Sequence, residues 1–229
     1  MSSQNTILRF SSEDLWFTSD THFGCDNIIR FCGRPFKSAA EMDEELICRW
    51  NDTVPEDGII FHLGDFCQGS KKEWESILKR LHGHKYLILG NASSFQIALD
   101  MTVSGRRYLF SHAGVRYGWL LCHKDILGDH PVKDPATRLN GLWWNEQSRL
   151  ALLSALADIP YSRWGRCLYG SPVWSDVEDM DDTGFEIPDT FQIFGHTQQE
   201  FEPVIGQHYA CLDVRKAFRL TEDGAFKAI

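Results

Sequence analysis

The sequence predicts an α/β fold with a largely parallel core sheet, and two observations in the first half of the chain lead to this prediction. Short apolar runs alternate with segments of helical spacing, in the order strand, helix, strand, helix, strand. Each apolar run is followed by a residue able to bind a metal ion. Ligand-binding residues lie at this position when they project from the C-terminal ends of strands in an α/β sheet.

The elements of the first half can be placed from their periodicity and their boundary residues. In chain order we predict a strand over 15–19, a helix over 41–51, a strand over 58–63, a helix over 71–82 and a strand over 85–89. The first helix opens on a capping-box pattern, Ser38 followed three residues later by Glu41. The second helix stops at Gly83, a residue type that commonly ends helices.

The second half of the chain is less regular. A strand over 107–111 precedes His112, and a strand over 191–194 precedes Gly195 and His196. The intervening segment 115–190 is long and aromatic, with one clear helix over 146–157. We predict that it is an insertion forming a lid over the site of a single domain, 1–229, because long connections in compact domains are usually functional. Residues 207–214 and 217–220 are predicted to pair as a closing hairpin.

Composition restricts the possible partners and the cellular setting. The net charge of −9, without a dense basic run, disfavours duplex nucleic acid and anionic membranes as partners. No stretch approaches the roughly 20 apolar residues that span a bilayer, and the N-terminal residues lack the apolar core of a signal peptide. The seven cysteines form no C-x-x-C pair, so a reducing, cytoplasmic setting is expected.

The residues after the strands are of the types that bind hard or borderline cations. They are Asp20 and His22, Asp65, Asn91, His112 and His196. Singly, each has an ordinary interpretation: Asp65 fits a helix N-cap, and Asn91 after a glycine fits a turn. Their joint occurrence at five successive strand ends favours a metal site, since two ions sharing one carboxylate need about this set of oxygen and imidazole donors.

The series D-x-H, G-D, G-N, H, G-H resembles the calcineurin-like metallophosphoesterases, and the resemblance runs from about Leu15 to Val214. The stretches TSDTHFG at 18–24 and FHLGDF at 61–66 are similar to a small bacterial and phage branch. The stretches LFSHAG at 109–114 and WSD at 174–176 are more similar to the branch of Ser/Thr phosphoprotein phosphatases and dinucleoside tetraphosphate hydrolases.

This resemblance implies a four-layer α-β-β-α sandwich with a dinuclear metal centre that activates water for in-line attack on phosphorus. Asp20 and His22 would hold the first ion, and Asp65 would bridge the two ions. Asn91, His112 and His196 would hold the second. Gln198 stands where many members have a further His, and its amide oxygen is a weaker candidate ligand. Mn²⁺ is the expected metal, with Fe, Zn or Ni as alternatives.

One departure from the family pattern affects catalysis. The family has G-N-H-[DE] where this chain has Gly90-Asn91-Ala92-Ser93. The missing His is the general acid that the resemblance implies, and such a group contributes typically ~10²–10⁴-fold to the rate. We therefore expect impaired catalysis with Ala92 at this position. The loss of this His together with the carboxylate after it is consistent with an introduced inactivating change or with natural decay.

The expected function is that of a metal-dependent phosphoester hydrolase acting on a phosphorylated small molecule, a nucleotide or a phosphoprotein. Arg34, before Pro35, is a candidate phosphate-binding residue, with a surface salt bridge as its alternative. The alternative function is a catalytically inactive binding module of the same fold, which would dock a partner through an exposed apolar patch on 115–190.

Overall fold

Ten strands form two five-stranded sheets in the computed structural model, which describes residues 15–88, 90, 96–181, 186–221 and 226–228. The strands are β1 Leu15–Thr18, β2 Ile59–His62, β3 His84–Leu87, β4 Ala98–Val103, β5 Arg106–Ser111, β6 Thr190–Phe194, β7 Val204–Ile205, β8 Tyr209–Cys211, β9 Phe218–Leu220 and β10 Phe226–Ala228.

Seven α-helices connect these strands in the described ranges. They are α1 Asp26–Phe31, α2 Ala39–Thr53, α3 Lys71–Arg80, α4 Tyr117–Cys122, α5 Lys124–Leu127, α6 Pro135–Trp144 and α7 Glu146–Leu156. Helix α2 begins after Ser38, whose hydroxyl accepts a hydrogen bond from the backbone N–H of Glu41 at 3.2 Å. Helix α3 begins with a reciprocal capping box between Ser70 and Glu73.

Both sheets are mixed, and each has a parallel centre. The first sheet has the order β10-β9-β1-β2-β3, in which β1, β2 and β3 are parallel. The second has the order β4-β5-β6-β8-β7, in which β5, β6 and β8 are parallel. The predicted α/β class with parallel pairing at its centre is therefore found, and the division of the strands between two sheets is consistent with an α/β sandwich.

The core follows from side chains that alternate along each strand. Phe17 of β1 stacks on Phe110 of β5 with ring centroids 5.1 Å apart, so these two strands of different sheets meet in one cluster. The neighbouring Trp16 packs instead with Trp50 of α2, and Leu109 packs with Trp119 of α4. Successive residues of a strand thus contact the other sheet and a helix in turn, as the two-residue period requires.

Two predictions about the second half were wrong. The hairpin of 207–214 with 217–220 does not form, because β8 pairs with β6 and β7 in the second sheet whereas β9 pairs with β1 and β10 in the first. The chain crosses between the sheets at Arg215, whose φ of 59° lies in the left-handed region. The described part of segment 115–190 contains four α-helices rather than one, and two of them, α4 and α5, are too short for a clear periodic pattern.

Two further observations concern membrane-spanning helices and cysteines. No helix within the described ranges combines the length and the apolar character needed to cross a membrane. All seven cysteines are free thiols.

Candidate metal centre

Residues from the ends of four strands converge at one place. Ligand atoms of Asp20, Asp65, His112 and His196 all lie within 4.8 Å of one another. Asp20 follows β1 and Asp65 follows β2 in the first sheet, whereas His112 follows β5 and His196 follows β6 in the second. The cluster therefore spans both sheets at their C-terminal strand ends.

Asp65 occupies the middle of this cluster. Its Oδ2 lies 3.7 Å from His22 Nε2 and 3.6 Å from His112 Nε2. His22 Nε2 also lies 3.9 Å from Oδ1 of Asp20. One carboxylate is thus shared between an imidazole of the first sheet and an imidazole of the second.

The two imidazoles of the second sheet present nitrogen atoms that lack hydrogen-bond partners. His112 Nδ1 lies 2.9 Å from the carbonyl oxygen of Leu63, which can only accept, so Nδ1 carries the hydrogen and the neutral ring keeps its lone pair on Nε2. Nε2 of His112 and Nε2 of His196 are buried without a hydrogen-bond partner among the described residues. Buried polar atoms are normally satisfied, so a cation accepting these lone pairs fits the site.

The Asp20 loop is held in place by contacts that leave part of its carboxylate available. Oδ2 of Asp20 accepts a hydrogen bond from the backbone N–H of His196 at 2.9 Å, whereas Oδ1 is on the side of His22. Behind the loop, the buried Arg34 donates to the carbonyl oxygens of Asp20 at 2.6 Å and Thr21 at 2.8 Å. Arg34 therefore stabilises the backbone that carries the candidate ligands.

The backbone at the candidate ligands is strained. Asp20, His22 and Asp65 each have a φ of 52°, and His196 has a φ of 68°. The left-handed conformation costs L-residues roughly 1–2 kcal/mol each, and such residues concentrate at functional sites. These left-handed residues turn the chain at the strand ends, so that four polar side chains face one volume. An extended chain would not bring them together.

Two glycines allow the loops to approach this closely. A Cβ on Gly64 would lie 2.4 Å from His112 Nδ1, and a Cβ on Gly195 would lie 2.4 Å from Ser19 Oγ and 2.5 Å from Asp20 Oδ2. Any side chain at either position would separate the two sheets at the site. The Gly-Asp and Gly-His pairs in the sequence thus have a steric explanation.

Burial controls the protonation of the candidate ligands. It lowers the pKa of His22, and it lowers the pKa of His196 well below its ordinary value, with the neighbouring His112 adding to the effect. Both rings are therefore neutral near pH 7, the form that binds metals. Burial raises the pKa of Asp20, and the carboxylate of Asp65 adds to this shift. A bound cation would oppose both causes.

Comparisons with known proteins identify a related protein. No family model matches the chain. The uncharacterized protein MJ1445 of Methanocaldococcus jannaschii is 37% identical over 137 residues, which are 55% of this chain and 78% of that protein. The chain belongs to the family of MJ1445.

A phage protein and two solved structures are also similar to this member of the MJ1445 family. The Gene 66 protein of Mycobacterium phage L5 is 27% identical over 143 residues, 54% of this chain and 69% of that protein. The protein of unknown function AQ665 from Aquifex aeolicus has a TM-score of 0.42 and 21% identity, covering 82% of this chain and 81% of its own. A single mutant of Vps29 from Entamoeba histolytica has a TM-score of 0.35 and 14% identity, covering 94% and 96%.

Two of the predicted site residues lie outside the description, and a third, Gln198, makes a contact with another loop. Asn91 and Ala92 lie outside the described residues. Gln198 is exposed, and its side-chain amide donates to the carbonyl oxygen of Cys32 at 3.4 Å.

The structure also places residues at this site of the MJ1445-family chain that sequence reasoning missed. Arg163 donates to Thr197 Oγ1 at 2.9 Å and forms an ion pair with Asp176, 3.0 Å between Nε and Oδ2. Asp213 is buried near Asp20 and Arg34, and burial raises its pKa well above the ordinary value. No motif marks Arg163 or Asp213, so only three-dimensional proximity identifies them.

Segment 115–190 also contributes an aromatic contact at the site. The Trp174 ring meets the His196 ring edge to face, with centroids 5.7 Å apart. Together with Arg163, this contact brings the long connection against the loop that carries His196.

Proposed function

We propose that this protein is a metal-dependent phosphoester hydrolase of the calcineurin-like metallophosphoesterase superfamily. The observation that carries the proposal is the position of Asp65, whose carboxylate lies 3.7 Å from His22 Nε2 and 3.6 Å from His112 Nε2. A carboxylate between two imidazoles, with further ligands on both sides, is suited to bridging two cations.

The residues can be divided between two ions. Asp20 and His22 would hold the first, Asp65 would contact both, and His112 and His196 would hold the second. Asn91 remains a proposed ligand of the second ion, and Gln198 a weaker one. Carboxylates with imidazoles suit Mn²⁺, and also Fe, Zn or Ni. Divalent ions, when bound, would activate a water molecule for in-line attack and offset the charge of the phosphate.

The chain's own residues would prepare this site. The carbonyl oxygen of Leu63 fixes the tautomer of His112, and burial keeps His22 and His196 neutral. Without an imidazole at position 92, no residue is assigned to protonate the leaving oxygen. Esters whose leaving groups depart readily as anions would therefore react best.

The packing supports a four-layer α-β-β-α arrangement in a single domain. One apolar cluster lies between the two sheets, a second contains α2 and α3 with the first sheet, and a third contains α4, α6 and α7 with the second sheet. We propose that segment 115–190 is a lid, because Trp174 and Arg163 contact the loop carrying His196.

The proposed substrates are phosphorylated small molecules, nucleotides or phosphoproteins. Neither a membrane nor duplex nucleic acid is a proposed partner, given the net charge of −9. The seven free thiols support a reducing, cytoplasmic setting.

Mn²⁺-dependent hydrolysis of p-nitrophenyl phosphate and of its bis ester tests the proposal. We expect activity on these esters in the chain as it stands, because p-nitrophenolate departs readily as an anion. On an alkyl phosphate ester, whose leaving oxygen needs a positioned acid, we expect Ala92→His to give a gain of roughly 10²–10⁴-fold. Ala151→His, on the exposed face of α7, is the control and should show no gain. Absence of activity in both chains, with no Mn²⁺ bound at equilibrium dialysis, would refute the proposal.

A catalytically inactive binding module is the second candidate, and one observation favours it. Of eleven exposed large hydrophobic side chains in the described residues, seven lie within 115–190, and Trp164 is 97% exposed. Metal binding separates the two candidates. A module that only docks a partner has no need of the unpartnered nitrogens of His112 and His196, and it would bind Mn²⁺ and Zn²⁺ no better than an Asp65→Asn variant.

A further inference from the structure

The imidazoles of His112 and His196 are held in different ways. His112 is fully buried, and its Nδ1 lies 2.9 Å from the carbonyl oxygen of Leu63. The ring of His196 makes no hydrogen bond to any of the described residues, although its Nε2 is buried. An imidazole that binds a metal is usually oriented by a hydrogen bond from its other nitrogen. Within the described ranges, the orientation of the His196 ring therefore depends on packing and on its backbone.

The packing contact comes from the long connection between β5 and β6. We call residues 161–177 the strap, and all of them are among the described residues. Trp174 of the strap meets the His196 ring with the ring planes 87° apart. The His196 ring also contacts the ring of His112, at a centroid distance of 4.6 Å. Trp174 therefore restricts the His196 ring only while the strap stays against the His196 loop.

The backbone of His196 is supported through the next residue, Thr197. The Thr197 hydroxyl oxygen accepts two hydrogen bonds from the strap, one from Arg163 Nη2 at 2.9 Å and one from the backbone N–H of Val177 at 3.1 Å. A hydroxyl oxygen has two lone pairs, so both are used. His196 has a φ of 68°, and a left-handed conformation of this kind persists only where the surrounding structure enforces it. Through Thr197 the strap helps to enforce the geometry of a candidate ligand.

The two ends of the strap are joined next to their contacts with Thr197. Nε of Arg163 lies 3.0 Å from Oδ2 of Asp176, the residue directly before Val177. Both partners are largely buried, with 25% and 14% of their side chains exposed. Arg163 and Val177 therefore approach the Thr197 hydroxyl as one unit.

We propose that Thr197 couples the strap to the second metal ion. The contacts of the strap with Thr197 and with the His196 ring hold His196 in the cluster with Asp65. The inference rests on the proposed function, in which His196 is a ligand of the second ion. Such coupling is reciprocal, because a contact that favours ion binding is itself favoured by the same factor when the ion is bound. The strap should therefore be held more firmly with two ions than with one.

Thr197→Val is the decisive variant, and Thr197→Ser is its matched control. Valine keeps the shape of threonine but removes the oxygen that accepts both hydrogen bonds, whereas serine keeps that oxygen. Mn²⁺ is titrated calorimetrically into EDTA-treated protein. We expect Thr197→Val to weaken binding of the second ion about tenfold or more and to leave the first unchanged, since loss of an outer partner of a ligand costs 10–100-fold in affinity. Thr197→Ser should bind both ions as wild type does.

Two further variants complete the series. Arg163→Gln removes one of the two donors and should weaken binding of the second ion less than Thr197→Val does. It changes a partly exposed side chain, so it keeps the test open if Thr197→Val fails to fold. Thr102→Val makes the same substitution at an exposed position of β4 and should leave the binding of both ions unchanged.

Hydrogen exchange followed by mass spectrometry tests the reciprocal effect. Mn²⁺ at a concentration that saturates the second site should slow the exchange of strap peptides about tenfold in wild type and in Thr197→Ser, but not in Thr197→Val. Peptides from α3 are the reference, because that helix contributes no residue to the ligand cluster. A strap with a purely structural role would exchange at the same rate with and without Mn²⁺.

The outcomes separate this coupling from the proposed hydrolase activity. Equal affinity for the second ion in wild type and Thr197→Val, or strap exchange that Mn²⁺ does not change, overturns the inference even if the enzyme is active. Selective weakening of the second ion without hydrolysis of any ester supports the coupling and counts against the proposed hydrolase instead. Binding of fewer than two ions by wild type overturns both.

Discussion

The two sheets contribute to the candidate metal centre in different ways. The first sheet supplies both carboxylates on loops tied to each other, since Asp20 N–H donates to Gly64 O at 3.1 Å and His22 N–H donates to Asp65 O at 2.9 Å. The second sheet supplies His112 and His196, and each makes a hydrogen bond to the first sheet's loops. We call the loops of the first sheet, with Asp20, His22 and Asp65, the carboxylate half, and the loops of the second sheet, with His112 and His196, the imidazole half. The carboxylate half is organised within one sheet, whereas the imidazole half is oriented only when the sheets pack together.

The candidate site therefore depends on the contact between the two sheets as well as on the candidate ligands themselves. Phe17 and Phe110 stack beneath the strand ends, and the ligands of the two halves follow from strands β1 and β5. Changes on the first sheet should remove ligands outright, whereas changes at the junction should misplace ligands that are still present.

Asp65→Asn is expected to give the largest loss of metal affinity, because the Asp65 carboxylate lies between the imidazoles of the two halves. Loss of an outer partner of a metal ligand typically costs 10–100-fold in metal affinity, so loss of the shared ligand should cost about 10²-fold or more. Equilibrium dialysis with Mn²⁺ measures this change. Asp57→Asn removes an exposed carboxylate elsewhere and should leave the affinity unchanged. Equal affinity in wild type and Asp65→Asn would show that Asp65 does not bridge.

Gly195→Ala tests the junction without removing any ligand. The added Cβ would meet Ser19 Oγ and Asp20 Oδ2 at 2.4 and 2.5 Å, so the His196 loop must move away from the first sheet. Overpacking of this kind costs typically 1–3 kcal/mol, and Mn²⁺ affinity should fall because His196 is displaced. Urea unfolding and dialysis measure the two effects.

Gly141→Ala is the matched control for this junction variant. Gly141 lies within α6, and a Cβ there would meet nothing within 4 Å. The substitution should raise the free energy of unfolding by up to about 1 kcal/mol through helix propensity. An equal loss of stability in both variants would show that the close approach at Gly195 has no special role.

The positions of the candidate ligands at strand ends were easier to predict from the sequence than the pairing of the strands that carry them. Local sequence was sufficient to predict the strand ends, since each apolar run and the residue that follows it are adjacent in the chain. These residues are Asp20, Asp65, His112 and His196. The division into two sheets could not be read from the strands themselves, because strand partners depend on long-range packing, and it was expected only from the family resemblance. Strands β8 and β9 lie in different sheets, and the chain between them passes through the left-handed residue Arg215, although the alternation of this sequence fits a hairpin equally well.

Segment 115–190 exposes another limit of local reasoning. Its longest helix, α7, was predicted, but α4 and α5 span only 6 and 4 residues and carry little periodic signal. Arg163 approaches the His196 loop across 34 positions of sequence, and nothing in the sequence around it indicates this contact.

His62→Gln examines how the first sheet holds its ligand loop. The Thr21 hydroxyl donates to Phe66 O at 2.7 Å, so it accepts from His62 Nε2 at 2.9 Å, which requires a hydrogen on that nitrogen. Burial lowers the pKa of His62 to about 3 from the ordinary value of 6.5. The unfolded chain therefore takes up a proton near pH 6.5 and the folded chain does not, so this residue destabilises the fold progressively as the pH falls from 6.5 towards 3.

The measurable consequence is a difference in pH dependence. Between pH 6.5 and 4, the free energy of unfolding of wild type should fall relative to His62→Gln by up to about 1.4 kcal/mol per pH unit. Comparison with the variant isolates His62, because the raised pKa values of Asp20 and Asp213 act in the opposite direction in both proteins. His84→Gln, at an exposed position, should follow wild type. Parallel pH profiles for wild type and His62→Gln would show that this ring is not held neutral.

Arg163→Lys is expected to cause the smallest loss of stability. It alters a contact to the loop that carries His196 and leaves every candidate ligand in place. The guanidinium of Arg163 reaches Thr197 Oγ1 and Asp176 together, and a lysine ammonium cannot reproduce both contacts in the same geometry. We expect a loss of about 1 kcal/mol in urea unfolding, the usual contribution of one hydrogen bond. Arg166→Lys, three residues away and exposed, should cost nothing measurable. If the two variants lose equal stability, segment 115–190 is not anchored to the imidazole half through Arg163, and the contact between Trp174 and His196 must hold it there.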